Sequence, residues 1–110
     1  MCIRDSMSEF VADVMKPMLS GVFTVDDDDL FRWLWKAQTT QAIRLEPSAT
    51  AGFAGPEFIV NSNQGRAYQE AHGLSNKLAQ ATHVIWTTGG AFVPEEQFKE
   101  FMARGALLVK

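Results

Sequence analysis

The sequence has little cysteine, little histidine and no excess of positive charge. Its single cysteine, Cys2, cannot form an internal disulfide, and its two histidines are too few for the usual metal clusters. With 10 basic and 13 acidic residues the net charge is −3, which gives no electrostatic support for binding nucleic acid or an anionic membrane. The sequence contains no run of about 18 apolar residues, which is the length that a bilayer-spanning helix needs. These absences predict a cytoplasmic protein that binds neither nucleic acid nor membrane and holds no metal.

The chain is short, and its first residues need separate treatment. A length of 110 residues, 46% of them hydrophobic, suits one small domain or part of a larger protein. Residues Met1–Ser6 resemble the translation of a transposon-end adaptor used in shotgun sequencing libraries. Under that interpretation the natural sequence occupies residues 7–110 and continues upstream of Met7. The alternative is a genuine short polar N-terminus.

Apolar spacing in the N-terminal third predicts two helices. The first runs from about Glu9 to Ser20 and contains Pro17, which favours a bend. The second begins near Thr24 with the acidic run Asp26–Asp29 in its first turn, where the helix dipole stabilises negative charge. Its segment Leu30–Trp35 is apolar on most of its circumference, which predicts burial on several sides or exposed apolar surface if the chain is isolated.

The rest of the chain alternates predicted strands and helices. Short apolar runs at Ile43–Glu46 and Thr82–Thr87 predict strands. Helices are predicted from Ser48, as broken pieces over Glu57–His72, and from Pro94 to about Arg104. This order predicts an α/β fold with a parallel sheet covered by helices on both faces. Two strands are too few for a stable sheet, so we expect the chain to be part of a larger domain.

The segment Thr88-Gly89-Gly90 is the first candidate site, because ligands in α/β proteins bind at the carboxyl ends of strands. A hydroxyl on Thr88 followed by residues without side chains can approach a ring or a phosphate closely. Glu46-Pro47-Ser48, at the end of the other predicted strand, would lie at the same crevice, either as a ligand contact or as a helix cap. His72 and His83 stand beside turns without a matched partner, and we assign them structural roles.

Between about Phe10 and Gly105 the sequence contains a set of short phrases. These are Leu19-Ser20-Gly21, Ile43-Arg44-Leu45-Glu46-Pro47-Ser48-Ala49, Ala51-Gly52, Ala54-Gly55-Pro56, Tyr68-Gln69, His72-Gly73, Ala81-Thr82-His83, Trp86, Thr88-Gly89-Gly90 and Val93-Pro94-Glu95-Glu96. In their order and spacing, these phrases together resemble the C-terminal end of the bacterial D-serine dehydratase family. Residues Ala106–Lys110 extend past the expected end of that family's chain.

The resemblance implies a tryptophan-synthase-like (fold type II) enzyme that uses pyridoxal phosphate to convert D-serine to pyruvate and ammonia. It implies that this chain is the C-terminal part of the large cofactor domain, in a protein that is monomeric when full length. Thr88 would hydrogen-bond the pyridine nitrogen of the cofactor, and Gly89 and Gly90 would let the ring approach the backbone. The lysine that holds the cofactor as a Schiff base matches no lysine here, so no catalytic residue is assigned and the fragment by itself is expected to be inactive.

The residue type at position 88 has a chemical consequence. A neutral hydroxyl can donate to an unprotonated ring nitrogen, whereas an aspartate would keep that nitrogen protonated. An unprotonated ring is the weaker electron sink, which favours β-elimination over accumulation of a carbanion. Two alternatives stay open at this point: another serine or threonine dehydratase of the same enzyme group, and a complete small α/β binding module without enzymatic activity.

Overall fold

A computed structural model describes residues 8–109, and its regular structure is helical throughout. The predicted adaptor segment Met1–Ser6 lies outside these residues. None of the described helices is both long enough and apolar enough to cross a membrane. The α-helices are α1 (Glu9–Met15), α2 (Asp27–Gln41), α3 (Gly55–Asn61), α4 (Asn63–Ala71) and α5 (Glu95–Val109), and the 3-10 helices are Pro47–Ala54, Leu78–Gln80 and Gly90–Phe92.

The predicted α/β fold with a parallel sheet is wrong for this chain. Residues 8–109 contain no β-strand. The segments predicted as strands, Ile43–Glu46 and Thr82–Thr87, have no regular secondary structure and no partner strand. A strand exists only where a neighbour completes its hydrogen bonds, and a short apolar run does not reveal whether one is present.

The acidic run predicted to start the second helix does start it. Asp26 occupies the N-cap position in an extended conformation, and the three following aspartates form the first turn of α2. The helix ends at Gln41, and the left-handed backbone of its C-cap Ala42 (φ 54°) accounts for the break in the helical path. The first helix is shorter than predicted, since α1 ends at Met15 just before Pro17.

The core lies where α2 packs against α5 and against the 3-10 helix Pro47–Ala54. Leu34 and Ala37 of α2, Leu45 and Phe98 are the buried apolar residues, with Leu34 only 1% exposed. The Trp33 ring stacks on Phe53 with centroids 5.7 Å apart. The apolar surface expected on Leu30–Trp35 is therefore largely covered within this chain, as burial on several sides requires.

The C-terminal helix is longer than predicted. The start at Pro94 and Glu95 is confirmed, but α5 continues through Val109 and includes most of Ala106–Lys110. The carbonyl of Leu108 accepts a hydrogen bond of 3.2 Å from Arg32 Nε of α2, so the added turn holds the two long helices together.

The break expected between Asn61 and Gly65 is also confirmed, because α3 and α4 meet at Ser62. The Ser62 side chain caps α4 by accepting a hydrogen bond from the Gly65 amide.

Candidate functional site

Thr88 lies on the exposed side of an irregular segment that leads into a tight turn. Exposure alternates along the segment, with Val84 (88%) and Trp86 (87%) outward and Ile85 and Thr87 half-buried. Thr88 follows the same alternation and is exposed, so its hydroxyl is accessible to a ligand. The structure thus distinguishes Thr87 from Thr88, although the segment is not a strand.

Gly89 brings the two sequence-predicted segments of the site together. Its backbone is left-handed (φ 84°), a conformation that favours glycine. A Cβ added to Gly89 would lie 2.6 Å from Cδ of Glu46, so a side chain at position 89 would require the Glu46 carboxylate to move. The turn after Thr88 therefore lies against Glu46, and the predicted proximity of the two segments is observed without the predicted sheet.

Glu46 also organises the start of the adjacent 3-10 helix. It occupies the N-cap position of Pro47–Ala54 in an extended conformation. Its Oε1 accepts a hydrogen bond of 3.3 Å from the Ser48 hydroxyl. Ser48 is therefore not the N-cap that the sequence predicted, since the cap lies at Glu46 and Ser48 donates to it.

Gly90 is buried against the backbone that precedes Glu46. An added Cβ would lie 1.8 Å from the Arg44 carbonyl oxygen and 2.9 Å from the Leu45 Cα. No side chain fits in that space, which explains why the second glycine of the turn is needed for packing. The two glycines thus have different roles: Gly89 supplies the backbone conformation, and Gly90 the close approach.

Arg44 is the residue of this site that the sequence analysis did not single out. Its guanidinium donates to the Gly90 carbonyl (Nε, 3.2 Å), to the Val93 carbonyl (2.8 Å) and to Glu95 Oε2 (2.7 Å). It also lies over the Phe98 ring, 4.1 Å from its centroid. One side chain therefore connects the turn after Thr88 to the beginning of α5.

The ion pair at this site affects the acidity of its exposed partner. The hydrogen bond from Arg44 and then the positive charge of its guanidinium lower the pKa of Glu95 below the ordinary value of 4.5. A carboxylate that accepts a hydrogen bond from a cation is favoured in its charged form. Glu95 is therefore ionised at neutral pH and keeps Arg44 in place.

Two concave surfaces adjoin the segment. A small cavity of about 200 Å³ beside Gly89 is lined by Glu46, Pro47 and residues of the α5 start. A wider apolar groove of about 700 Å³ is lined by residues 82–86. Phe23, Ile59 and Tyr68 form part of its wall. Sites for small ligands occupy about 300–1,000 Å³, so the cavity beside Gly89 is smaller than a typical complete site.

Both histidines and two of the lysines lie outside the lining of the small cavity beside Gly89. His72 follows α4 and contacts Tyr68 with its ring tilted by 41° and the ring centroids 4.3 Å apart. His83 is exposed and lines the apolar groove, away from the small cavity beside Gly89. Lys36 lies over the Trp33 ring, 5.0 Å from its centroid, and Lys99 pairs with Glu96 at 3.5 Å.

The chemistry available at Thr88 and Gly89 is that of a neutral donor beside bare backbone. An exposed hydroxyl can donate one hydrogen bond and accept others. The left-handed Gly89 that follows has no side chain of its own, and the Glu46 carboxylate lies where its Cβ would be. This donor set fits the edge of an aromatic ring with an acceptor nitrogen, such as the pyridine of pyridoxal phosphate.

This chain is similar to several proteins that are named as probable D-serine dehydratases. No family model matches the chain. It is 66% identical over 96 residues to a probable D-serine dehydratase of Sinorhizobium medicae, covering 87% of this chain. It is 54% identical over 96 residues to a probable D-serine dehydratase of Rhizobium leguminosarum bv. trifolii, again covering 87% of this chain. A probable D-serine dehydratase of Paracidovorax citrulli is 48% identical over 103 residues, which is 94% of this chain.

These matches cover only part of each relative. The chain spans 22% of the length of the Sinorhizobium and Rhizobium proteins and 23% of the Paracidovorax protein. The similarity therefore concerns a limited region of longer proteins that are named as dehydratases.

Proposed function

We propose that this chain is the C-terminal part of a D-serine ammonia-lyase that depends on pyridoxal phosphate. The observation that carries the proposal is the 66% identity to a probable D-serine dehydratase over 96 residues. The exposed Thr88 hydroxyl next to the left-handed Gly89 supports it, because both suit contact with the cofactor ring. The whole enzyme removes the α-proton and the β-hydroxyl of D-serine and releases pyruvate and ammonia.

In this proposal the chain binds and orients the ring edge of the cofactor. When bound, pyridoxal phosphate supplies the electron sink for the reaction at the substrate's α-carbon. Thr88 would hold its hydroxyl proton toward the ring nitrogen, and Gly89 would let the ring approach the backbone. The residues that bind the phosphate and hold the cofactor covalently belong to the rest of the protein, so the chain alone is inactive.

The direct test is a substrate panel on the full-length protein that contains this chain, loaded with pyridoxal phosphate. We expect pyruvate from D-serine at a rate well above those from L-serine and L-threonine. Product from the L-amino acids alone would assign the protein to another dehydratase of the group. Absence of both cofactor binding and product would contradict the proposal and favour a non-enzymatic binding module.

A further inference from the structure

The turn after Thr88 is held by a side chain that is distant in sequence. Arg44 donates to the carbonyls of Gly90 and Val93, at 3.2 Å and 2.8 Å. Gly90 is the first residue of the 3-10 helix Gly90–Phe92 and Val93 is its C-cap, so the guanidinium contacts both ends of the helix. The turn has two backbone hydrogen bonds of its own, from the Phe92 amide to the Gly89 carbonyl (3.2 Å) and from the Val93 amide to the Gly90 carbonyl (3.4 Å). Arg44 adds two hydrogen bonds from a charged donor, which are roughly twice as strong as neutral ones.

The guanidinium is itself held from two further sides. Glu95 accepts from it at 2.7 Å, and the Phe98 ring lies beneath it at 4.1 Å. Phe98 is only 6% exposed and belongs to the core. The planar guanidinium is thereby fixed relative to α5. Because it donates to the Gly90 carbonyl, it also fixes that carbonyl relative to α5.

A fixed turn matters because Gly89 has wide conformational freedom of its own. A glycine at φ 84° can leave that conformation at little steric cost unless its neighbours are restrained. We propose that Arg44 is a positioning residue: by holding the Gly90 and Val93 carbonyls it fixes the Gly89 turn and thereby the position of the Thr88 hydroxyl toward the cofactor ring. This inference rests on the proposed function for the part that concerns the cofactor.

The chain offers a matched control for Arg44. Arg104 lies over the Phe31 ring at 4.0 Å and pairs with Asp28 at 3.0 Å, so it has the same ring contact and the same kind of ion pair. Its hydrogen bond joins α5 to the start of α2 and leaves the Gly89 turn untouched. Arg104→Met therefore measures the general effect, on amide exchange and activity, of losing an arginine that lies over a ring and pairs with a carboxylate.

The first measurement is amide hydrogen exchange in the full-length protein without cofactor. Arg44→Met should accelerate exchange of the segment 88–93 by at least about tenfold, since loss of the restraint lowers the free energy of local opening. Arg104→Met should leave that segment at its original rate. Equal rates in the two variants would overturn the proposal, whatever the identity of the ligand.

The second measurement is a double-mutant cycle with Thr88→Val, read as affinity for pyridoxal phosphate and as kcat and KM for D-serine. A displacement of about 1 Å costs on the order of a hundredfold in rate, so Arg44→Met should lower kcat by about tenfold to a hundredfold with little change in KM. If Arg44 acts through Thr88, Arg44→Met should add little in the Thr88→Val background. Fully additive losses would show a general structural role and contradict the inference.

If Arg44→Met does not fold, Arg44→Lys is measured in its place. Lysine keeps the positive charge but cannot donate in two directions from a fixed plane, so its exchange rates and kcat should lie between those of the wild type and full loss. Wild-type values for Arg44→Lys would contradict the positioning role. If Thr88→Val alone keeps both normal cofactor affinity and normal turnover, the proposed cofactor contact fails, while the exchange experiment still decides whether Arg44 fixes the turn.

Discussion

Gly105 of α5 lies directly on the backbone of Phe31 in α2. An added Cβ at Gly105 would lie 2.4 Å from the Phe31 carbonyl oxygen and 2.6 Å from the Trp35 Cβ. The two longest helices therefore approach each other at a position where no side chain fits. This contact matters for the site because α5 also carries Phe98, on which Arg44 rests.

Enlarging Gly105 should separate α2 from α5. Gly105→Val places methyl groups where the Phe31 backbone lies, and overpacking of this kind costs about 1–3 kcal/mol. Chemical denaturation should show a lower midpoint. Gly21→Ala is the control, because an added Cβ there meets nothing within 4 Å, and it should leave the midpoint nearly unchanged. Equal midpoints for Gly105→Val and wild type would contradict the observed helix packing.

Thr50 fixes the start of the 3-10 helix Pro47–Ala54 to α2. The side chain is fully buried, and its hydroxyl lies 2.9 Å from the Leu30 carbonyl and 2.7 Å from the Pro47 carbonyl. Thr50→Val keeps the shape but removes the single hydroxyl proton that lies between these two carbonyls, which costs about 1–3 kcal/mol. The loss should be measurable as a lower free energy of unfolding.

Thr40 provides the comparison for Thr50. Its hydroxyl also donates to a carbonyl, that of Lys36 at 2.6 Å, but the residue is exposed. Water can replace that bond, so Thr40→Val should change the free energy of unfolding by less than about 0.5 kcal/mol. A Thr50→Val variant as stable as Thr40→Val would show that Thr50 does not hold the two elements together.

The helices were predictable where the sequence contains local signals for them. The acidic run before Leu30 and the Pro94-Glu95-Glu96 phrase act within their own first turns, so each correctly marks the start of a helix. The strands were not predictable, because pairing depends on a distant neighbour. The segments Ile43–Glu46 and Thr82–Thr87 are apolar enough for strands but have no partner in residues 8–109.

The site was predictable in its glycines but not in the residue that holds them. Two adjacent glycines after Thr88 indicate a turn and a close approach, and both are observed. Arg44 lies 46 residues from Gly90 and 51 from Glu95 along the chain, so no local pattern connects them. Only the folded chain shows that the guanidinium of Arg44 donates to both Gly90 and Glu95.

The ion pair between Arg44 and Glu95 should make stability depend on pH. Because Arg44 lowers the pKa of Glu95 in the folded protein, the stabilisation is fully present above the pKa of the unfolded chain and is lost as pH falls through the lowered folded value. The difference in Tm between wild type and Glu95→Gln should therefore be constant near neutral pH and shrink on acidification below about pH 4.5. In an Arg44→Met background the same comparison should show no such decrease, and a decrease of equal size there would contradict this origin of the pH dependence.

The most direct test of the account is the comparison of Thr88→Val with Thr87→Val in the full-length protein. Valine at position 88 keeps the shape but removes the donor, which should cost about 1–3 kcal/mol and lower turnover of D-serine or affinity for pyridoxal phosphate about tenfold to a hundredfold. Thr87 is half-buried on the other side of the segment, whereas Thr88 is exposed, so Thr87→Val should retain both properties. Full activity in Thr88→Val together with loss in Thr87→Val would contradict the assignment of Thr88 as the residue that contacts the cofactor.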